Sequence, residues 1–187
     1  MKMLRRAAAI IAVLVSVVAV SLKKKDAMTQ AARPSQKLRI LVVHGPNLNL
    51  LGRREPQIYG STTLDQINAH LAALAKEIDV ELVTLQSNHE GVIVDALQAH
   101  MDDVDGAIIN AAGLTFSSVS IHDAIKAEPF PVIEVHISNL ATRDEIHQHS
   151  ILTPAVRGAV MGLGWRSYTA ALRALVEMVR EAKAAGK

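Results

Sequence analysis

The chain has 187 residues, half of them hydrophobic and only five aromatic, which suits one aliphatic-cored domain plus an extension. It has no cysteine, which excludes disulfides, thiolate metal sites and thiol catalysis. Residues 1–37 carry a net charge of +7 and residues 38–187 a net of −5, so the body is mildly acidic and a nucleic-acid-binding domain is disfavoured.

Residues 1–37 read as an N-terminal extension, and residues 38–187 as a single catalytic domain. The start is basic, Ala7 to Leu22 is an uninterrupted run of Ala, Ile, Val, Leu and Ser, and Lys23-Lys24-Lys25-Asp26 follows. That pattern fits a signal peptide or a short anchor with membrane contact through residues 7–22, although a full span needs about 20 apolar residues. Translation starting at Met28 is the alternative.

Strand-like and helix-like segments then alternate. Leu38–Val43 has the length and β-branched content of a buried strand. The stretch His44 to Ser61 is rich in Gly, Pro and Asn, and reads as a loop. Thr63–Ile78 is expected to be a helix, with Leu64, Ile67, Leu71 and Leu74 at helical spacing and Ser61 or Thr62 as the N-cap. Strands are expected at Val80–Leu85, Ala107–Asn110, Pro131–His136 and Gly158–Met161. Helices are expected at Val92–His100, Val119–Ala127 and Arg166–Ala184, and a helical turn at Arg143–His147. Near-continuous apolar strands in βαβ alternation indicate a parallel sheet covered on both faces. The expected fold is a flavodoxin-like, doubly wound α/β sandwich with strand order 2-1-3-4-5.

In such a sheet every strand C-terminus lies on one edge, where open α/β folds bind ligands. That edge collects Asn47, Arg54 and Tyr59 after the first strand, Asn88, His89 and Glu90 after the second, and Asn110, Thr115 and Ser118 after the third. Glu134, His136, Ser138, Asn139 and Arg143 come with the fourth. The chain has no Walker-type phosphate loop, no Gly-x-Gly-x-x-Gly after the first strand and no Gly-x-Ser-x-Gly elbow. No lysine lies in these loops, so a Schiff-base route has no candidate amine. A tyrosine beside arginines, a histidine beside a carboxylate, and amides suit proton transfer through an oxyanion or enolate. Glu134 and His136 are two apart on a strand and so share a face. Loose spacing among His136, His147 and His149 argues against a metal site. His44, His70 and His100 read as structural or solvent-facing, and Trp165 and Tyr168 as packing for the last helix or a subunit contact.

Gly45-Pro-Asn-Leu-Asn-Leu-Leu-Gly52, Arg54-Glu-Pro, Tyr59-Gly-Ser-Thr, Gln86-Ser-Asn-His-Glu-Gly91 and Glu134-Val-His-Ile-Ser-Asn139 resemble the signature blocks of type II 3-dehydroquinate dehydratase. The resemblance covers about residues 38–180. It implies a flavodoxin-like fold, a homo-oligomer (a dodecamer), a cytoplasmic location, and loss of water from 3-dehydroquinate through an enolate, with neither metal nor cofactor. It implies Tyr59 as the base, Arg54 as the residue that acidifies it, His136 as the acid with Glu134 as its partner, and Asn47 as enolate support. Asn110, Ile137, Ser138, Arg143 and Asp123 correspond to substrate-binding positions, Ile137 and Ser138 through backbone N–H groups.

The pattern is not followed throughout. The family's Asn-Pro-Gly-x-Tyr-Thr-His is Asn110-Ala-Ala-Gly-Leu-Thr-Phe116 here, so its Tyr and His are Leu114 and Phe116. A family arginine falls at His147, and another at His122. The alternative reading these departures sustain is a non-catalytic or repurposed paralogue binding a related cyclic polyol acid. A flavin or nucleotide binder is disfavoured by the missing phosphate loop.

Overall fold

The computed structural model describes residues 37–53, 58 and 60–186. Residues 1–36 of the expected 1–37 extension, and with them the membrane segment 7–22, lie outside the described residues, as do Arg54 and Tyr59. Five strands, β1 (Leu38–His44), β2 (Val80–Gln86), β3 (Gly106–Asn110), β4 (Val132–His136) and β5 (Gly158–Met161), form one all-parallel sheet in the order β2-β1-β3-β4-β5. The linking helices are α1 (Leu64–Glu77), α2 (Glu90–Ala99), α3 (Val119–Ala127) and the closing α4 (Arg166–Ala184). This is the expected doubly wound sandwich.

Side chains alternate across a strand, so each strand feeds two cores. Ile40, Val42, Ile108, Ile133 and Val135 pack with Leu64, Ile67, Leu71 and Leu74 of α1 and with Leu172, Leu175 and Val176 of α4. Leu41, Val43, Ala107, Ile109 and Val132 pack on the other face with Ile93 and Leu97 of α2 and Ile121, Ala124 and Ile125 of α3. Each fully buried aliphatic side chain contributes roughly 1.5–3 kcal/mol, which explains why a chain with five aromatics holds together. On α4, Tyr168, Ala171, Leu172, Leu175, Val176 and Val179 form the buried stripe. Leu175 reaches the sheet where β3 begins with Gly106, whose missing Cβ would sit 3.0 Å from Leu175 Cδ1.

The structure corrects some element ends. The N-cap of α1 is Thr63, not Ser61 or Thr62. Its side chain accepts the Gln66 backbone N–H at 3.2 Å while the Gln66 side chain accepts the Thr63 N–H at 2.9 Å. Three consecutive hydroxyl residues could each cap; only Thr63 has its glutamine three residues on. α2 starts two residues early, at Glu90. The expected turn after β4 is two short 3₁₀ turns, Leu140–Thr142 and Glu145–His147.

The register sets the working edge. His44 stands opposite Gln86 on one side and Asn110 on the other, and β4 ends at His136, opposite Met161 of β5. The C-terminal residues of β1, β2 and β3 thus form one row, with the loop after each strand leaving from it.

Candidate active site

A cavity of about 130 Å³ opens at this edge. Its wall takes in Asn47, Leu48, Asn110, Phe116, His136, Ile137, Ser138, Arg143 and His147. The strand-end loops are held by polar side chains. Asn47 sits in the left-handed region at φ 65°, and its N–H donates to the Asn88 side-chain oxygen at 2.9 Å. Gln86 donates through Nε2 to that oxygen at 3.2 Å and to the Gly45 carbonyl at 3.3 Å. The loop after β1 is therefore anchored on the loop after β2.

Gly45 brings the loops after β1 and β3 together. Its N–H donates to the Asn110 carbonyl at 2.7 Å. A Cβ there would lie 2.5 Å from the backbone carbonyl of Ala111. On the β3 side, Ala112 is held at φ 51°, and its N–H donates to Asn110 Oδ1 at 3.1 Å.

Glu134 and His136 form the chemical centre of the cavity wall. Glu134 is fully buried and His136 is 4% exposed. Glu134 Oε1 accepts His136 Nε2–H at 2.8 Å and the Ser150 hydroxyl at 2.7 Å, and Oε2 accepts the Thr153 hydroxyl at 2.5 Å. Burial alone would raise this carboxyl. The donors His136, Thr153 and Ser150 overcome burial and leave it below the ordinary glutamate range, so the buried group is a carboxylate. An ionised Glu134 accepts, which fixes the His136 tautomer with Nε2 protonated and leaves Nδ1 for the cavity.

Across the loop after β4, Arg143 donates to the Ser138 hydroxyl at 3.3 Å and lies 3.7 Å from Asp144. Asp144 accepts from His147 Nδ1 at 2.7 Å, and that bond, the largest influence on its carboxyl, lowers it below the usual range. The Phe116 ring meets the His147 imidazole edge-on, with centroids 5.1 Å apart. This part of the wall is thus an aromatic edge and a tethered imidazole.

The structure brings Asn47, Asn110, His136, Ile137, Ser138 and Arg143 together at one cavity, with Glu134 directly behind His136. Asp123 is not brought to it. The buried face of α3 is Ile121, Ala124 and Ile125, and Asp123 points away, with its side chain 71% exposed and paired to His122 at 3.0 Å. Arg54 and Tyr59 lie outside the described residues. Among the described residues no group of three or more His, Asp or Glu is arranged to hold a metal ion.

Residues 38–176 match the sequence profile of the family described as Dehydroquinase class II. The chain belongs to the class II dehydroquinase family. The 3-dehydroquinate dehydratase of Bordetella pertussis is 57% identical over 136 residues, covering 72% of this chain and 94% of that protein. The enzyme of the same name from Roseiflexus castenholzii is 49% identical over 139 residues, covering 74% and 88%. Among solved structures, the type II dehydroquinase of Butyrivibrio crossotus is 37% identical with a TM-score of 0.73, covering 74% of this chain and 97% of that one.

In this class II dehydroquinase, sequence reasoning overlooked Ser150 and Thr153, the two hydroxyls that hold Glu134. Nothing local signals them, because they reach β4 from a loop 16 and 19 residues downstream. It also assigned His44 and Tyr168 no part in the site. Strand alternation could have placed His44, which shares parity with Ile40 and Val42 and so faces α1 and α4.

Proposed function

We propose that this class II dehydroquinase removes water from 3-dehydroquinate to give 3-dehydroshikimate, acting as a hydro-lyase. The observation that carries this reading is the His136–Glu134 pair, whose buried carboxylate fixes the imidazole in the wall of a cavity that also presents Asn47, Asn110 and Arg143. An elimination that passes through an enolate needs a base, an acid for the departing hydroxyl, and donors for the enolate oxygen. His136 supplies the acid in its doubly protonated form, keeping Nε2–H on the Glu134 carboxylate and delivering the Nδ1 proton to the departing hydroxyl. Asn47 supports the enolate. Asn110 and the N–H groups of Ile137 and Ser138 bind the ring hydroxyls and carboxylate, with Arg143 adding positive charge. Tyr59 is the base, and Arg54 beside it favours the phenolate, as opposite charge favours the ionised form of an acid. Asp123, standing outside this cavity, has no role within a single chain.

The reaction serves the shikimate pathway when the protein is cytoplasmic. Quinate catabolism is the role if residues 1–27 direct export, and N-terminal sequencing of the native protein separates the two. A homo-oligomer, a dodecamer in the fullest form, is expected and is read by light scattering. The deciding experiment mixes pure protein with 3-dehydroquinate and follows the enone absorbance of the product. Steady turnover is expected, with a Tyr59→Phe variant slower by roughly 10²–10⁴-fold, the range for losing a general base. No turnover at high protein concentration removes the function; a Tyr59→Phe variant near wild-type rate removes the assignment of the base.

A further inference from the structure

Behind the cavity lies a buried polar chain of which the roles above use only Asn110. It runs from Asn110 on β3 through Tyr168 on α4 and His44 on β1 to Asn68 on α1. Asn110 Nδ2 donates to the Tyr168 hydroxyl oxygen at 3.0 Å. That oxygen lies 3.1 Å from His44 Nδ1, and His44 Nε2 lies 3.0 Å from Asn68 Oδ1. Tyr168 and His44 are both 0% exposed, and Asn110 is 3% exposed.

The direction of every bond in this chain is determined. Asn110 Oδ1 is already the acceptor for the Ala112 N–H, so the other end of the amide, Nδ2, faces Tyr168 as a donor. The tyrosine oxygen accepts that bond, and its own proton has His44 Nδ1 as its acceptor. His44 is then protonated on Nε2, which donates to Asn68 Oδ1. Burial lowers His44 to about 4, against the Asn68 bond that raises it, so the ring is neutral and its Nδ1 lone pair is available. Reversing any member sets donor against donor or acceptor against acceptor, which is costly where the groups are shielded from water.

We propose that Tyr168 and His44 are positioning residues for Asn110, fixing its amide so that its second Nδ2–H is the donor offered to a ligand oxygen in the cavity. This rests on Asn110 touching the substrate, as in the function proposed above. With Oδ1 committed to Ala112 and one N–H to Tyr168, Asn110 is set as a donor before the ligand arrives. A pre-set side chain loses less freedom on binding. Without the Tyr168 hydroxyl the amide is held at its oxygen end alone, by the Ala112 N–H.

The test is a double-mutant cycle on the full chain with 3-dehydroquinate as the probe. Tyr168→Phe is expected to raise KM roughly five- to tenfold, the worth of about one hydrogen bond, with a much smaller change in kcat. In an Asn110→Ala background the same substitution should leave KM unchanged, while its effect on the thermal midpoint persists. A KM effect of equal size in both backgrounds, or none in either, overturns the proposal. If Tyr168→Phe fails to fold, His44 serves in its place. His44→Asn sets an amide oxygen where Nδ1 stood and should keep KM near wild type, whereas His44→Leu should raise it; equal KM in both overturns the proposal. Absence of wild-type turnover would fail the function reading instead. In that event the crystal structure of Tyr168→Phe decides, since an Asn110 amide left in its wild-type orientation overturns the relay and a rotated one supports it.

Discussion

At the residue scale, one buried imidazole sets a pH dependence. His44 is depressed to about 4 from an ordinary 6.5 because burial disfavours its charged form. The unfolded chain therefore takes up a proton near pH 6.5 that the folded chain refuses until near pH 4. Protons favour the unfolded state over that window, so stability is full above it and declines as pH falls. The complete loss is about 3 kcal/mol, from a shift of some two and a half units at 1.36 kcal/mol each. Glu134 acts lower down: its depressed carboxyl contributes stability above the usual glutamate range and loses it as pH falls through the folded value. Urea denaturation at several pH values between about 5 and 7.5 isolates His44. Wild type should lose stability across that range, and His44→Asn, which has nothing to titrate, should lose much less; equal slopes would reject the account. The Glu134–His136 pair on β4 was legible from its spacing, because two apart on a strand means one face. The residues that hold them were not, because hydrogen bonds across 16, 19 or 58 positions leave no local pattern.

At the element scale, the strand ends matter more than the strands. The apolar runs marked every strand of the sheet to within about one residue, as buried parallel strands allow. Helix starts were harder, since Ser61, Thr62 and Thr63 all carry hydroxyls and only the reciprocal bond with Gln66 picks one. Two backbone positions bear the close approach of the loops after β1 and β3. Ala112 holds a left-handed conformation that costs an alanine roughly 1 kcal/mol, at the position where the family pattern has glycine. Gly45 admits no Cβ at all against the Ala111 carbonyl. Gly45→Ala is accordingly expected to destabilise by roughly 2–3 kcal/mol, read from the denaturation midpoint. Adding Ala111→Gly should not relieve it, because the clash is with backbone atoms; full recovery in the double variant would refute the packing argument.

At the scale of the whole molecule, parity explains the architecture. Even-numbered residues of β1 face α1 and α4, odd-numbered ones face α2 and α3, and both cores close among residues 38–179. The sequence showed both faces to be apolar, but which helix covers which face came only with the structure. The charge split points the same way, with the basic excess confined to residues 1–37 and a mildly acidic body after it. We therefore expect a chain starting at Met28 to melt cooperatively and to retain wild-type turnover; circular dichroism and the enone assay check it, and loss of either would show that the first 27 residues belong to the working unit. The same asymmetry means that an acidic body offers no general field for an anion, which would need a few placed arginines and N–H groups.

The position of α4 in the chain has a consequence for how the protein is made. Tyr168, which bonds Asn110, and Leu175, which fills the space above Gly106, both belong to α4, which follows all five strands in chain order. Domains are built from the N-terminus as the chain emerges. Until translation reaches that helix, β3 has one face bare and Asn110 has no hydroxyl to face. A product broken off before Arg166 would therefore carry His136 and Glu134 without the helix that sets Asn110.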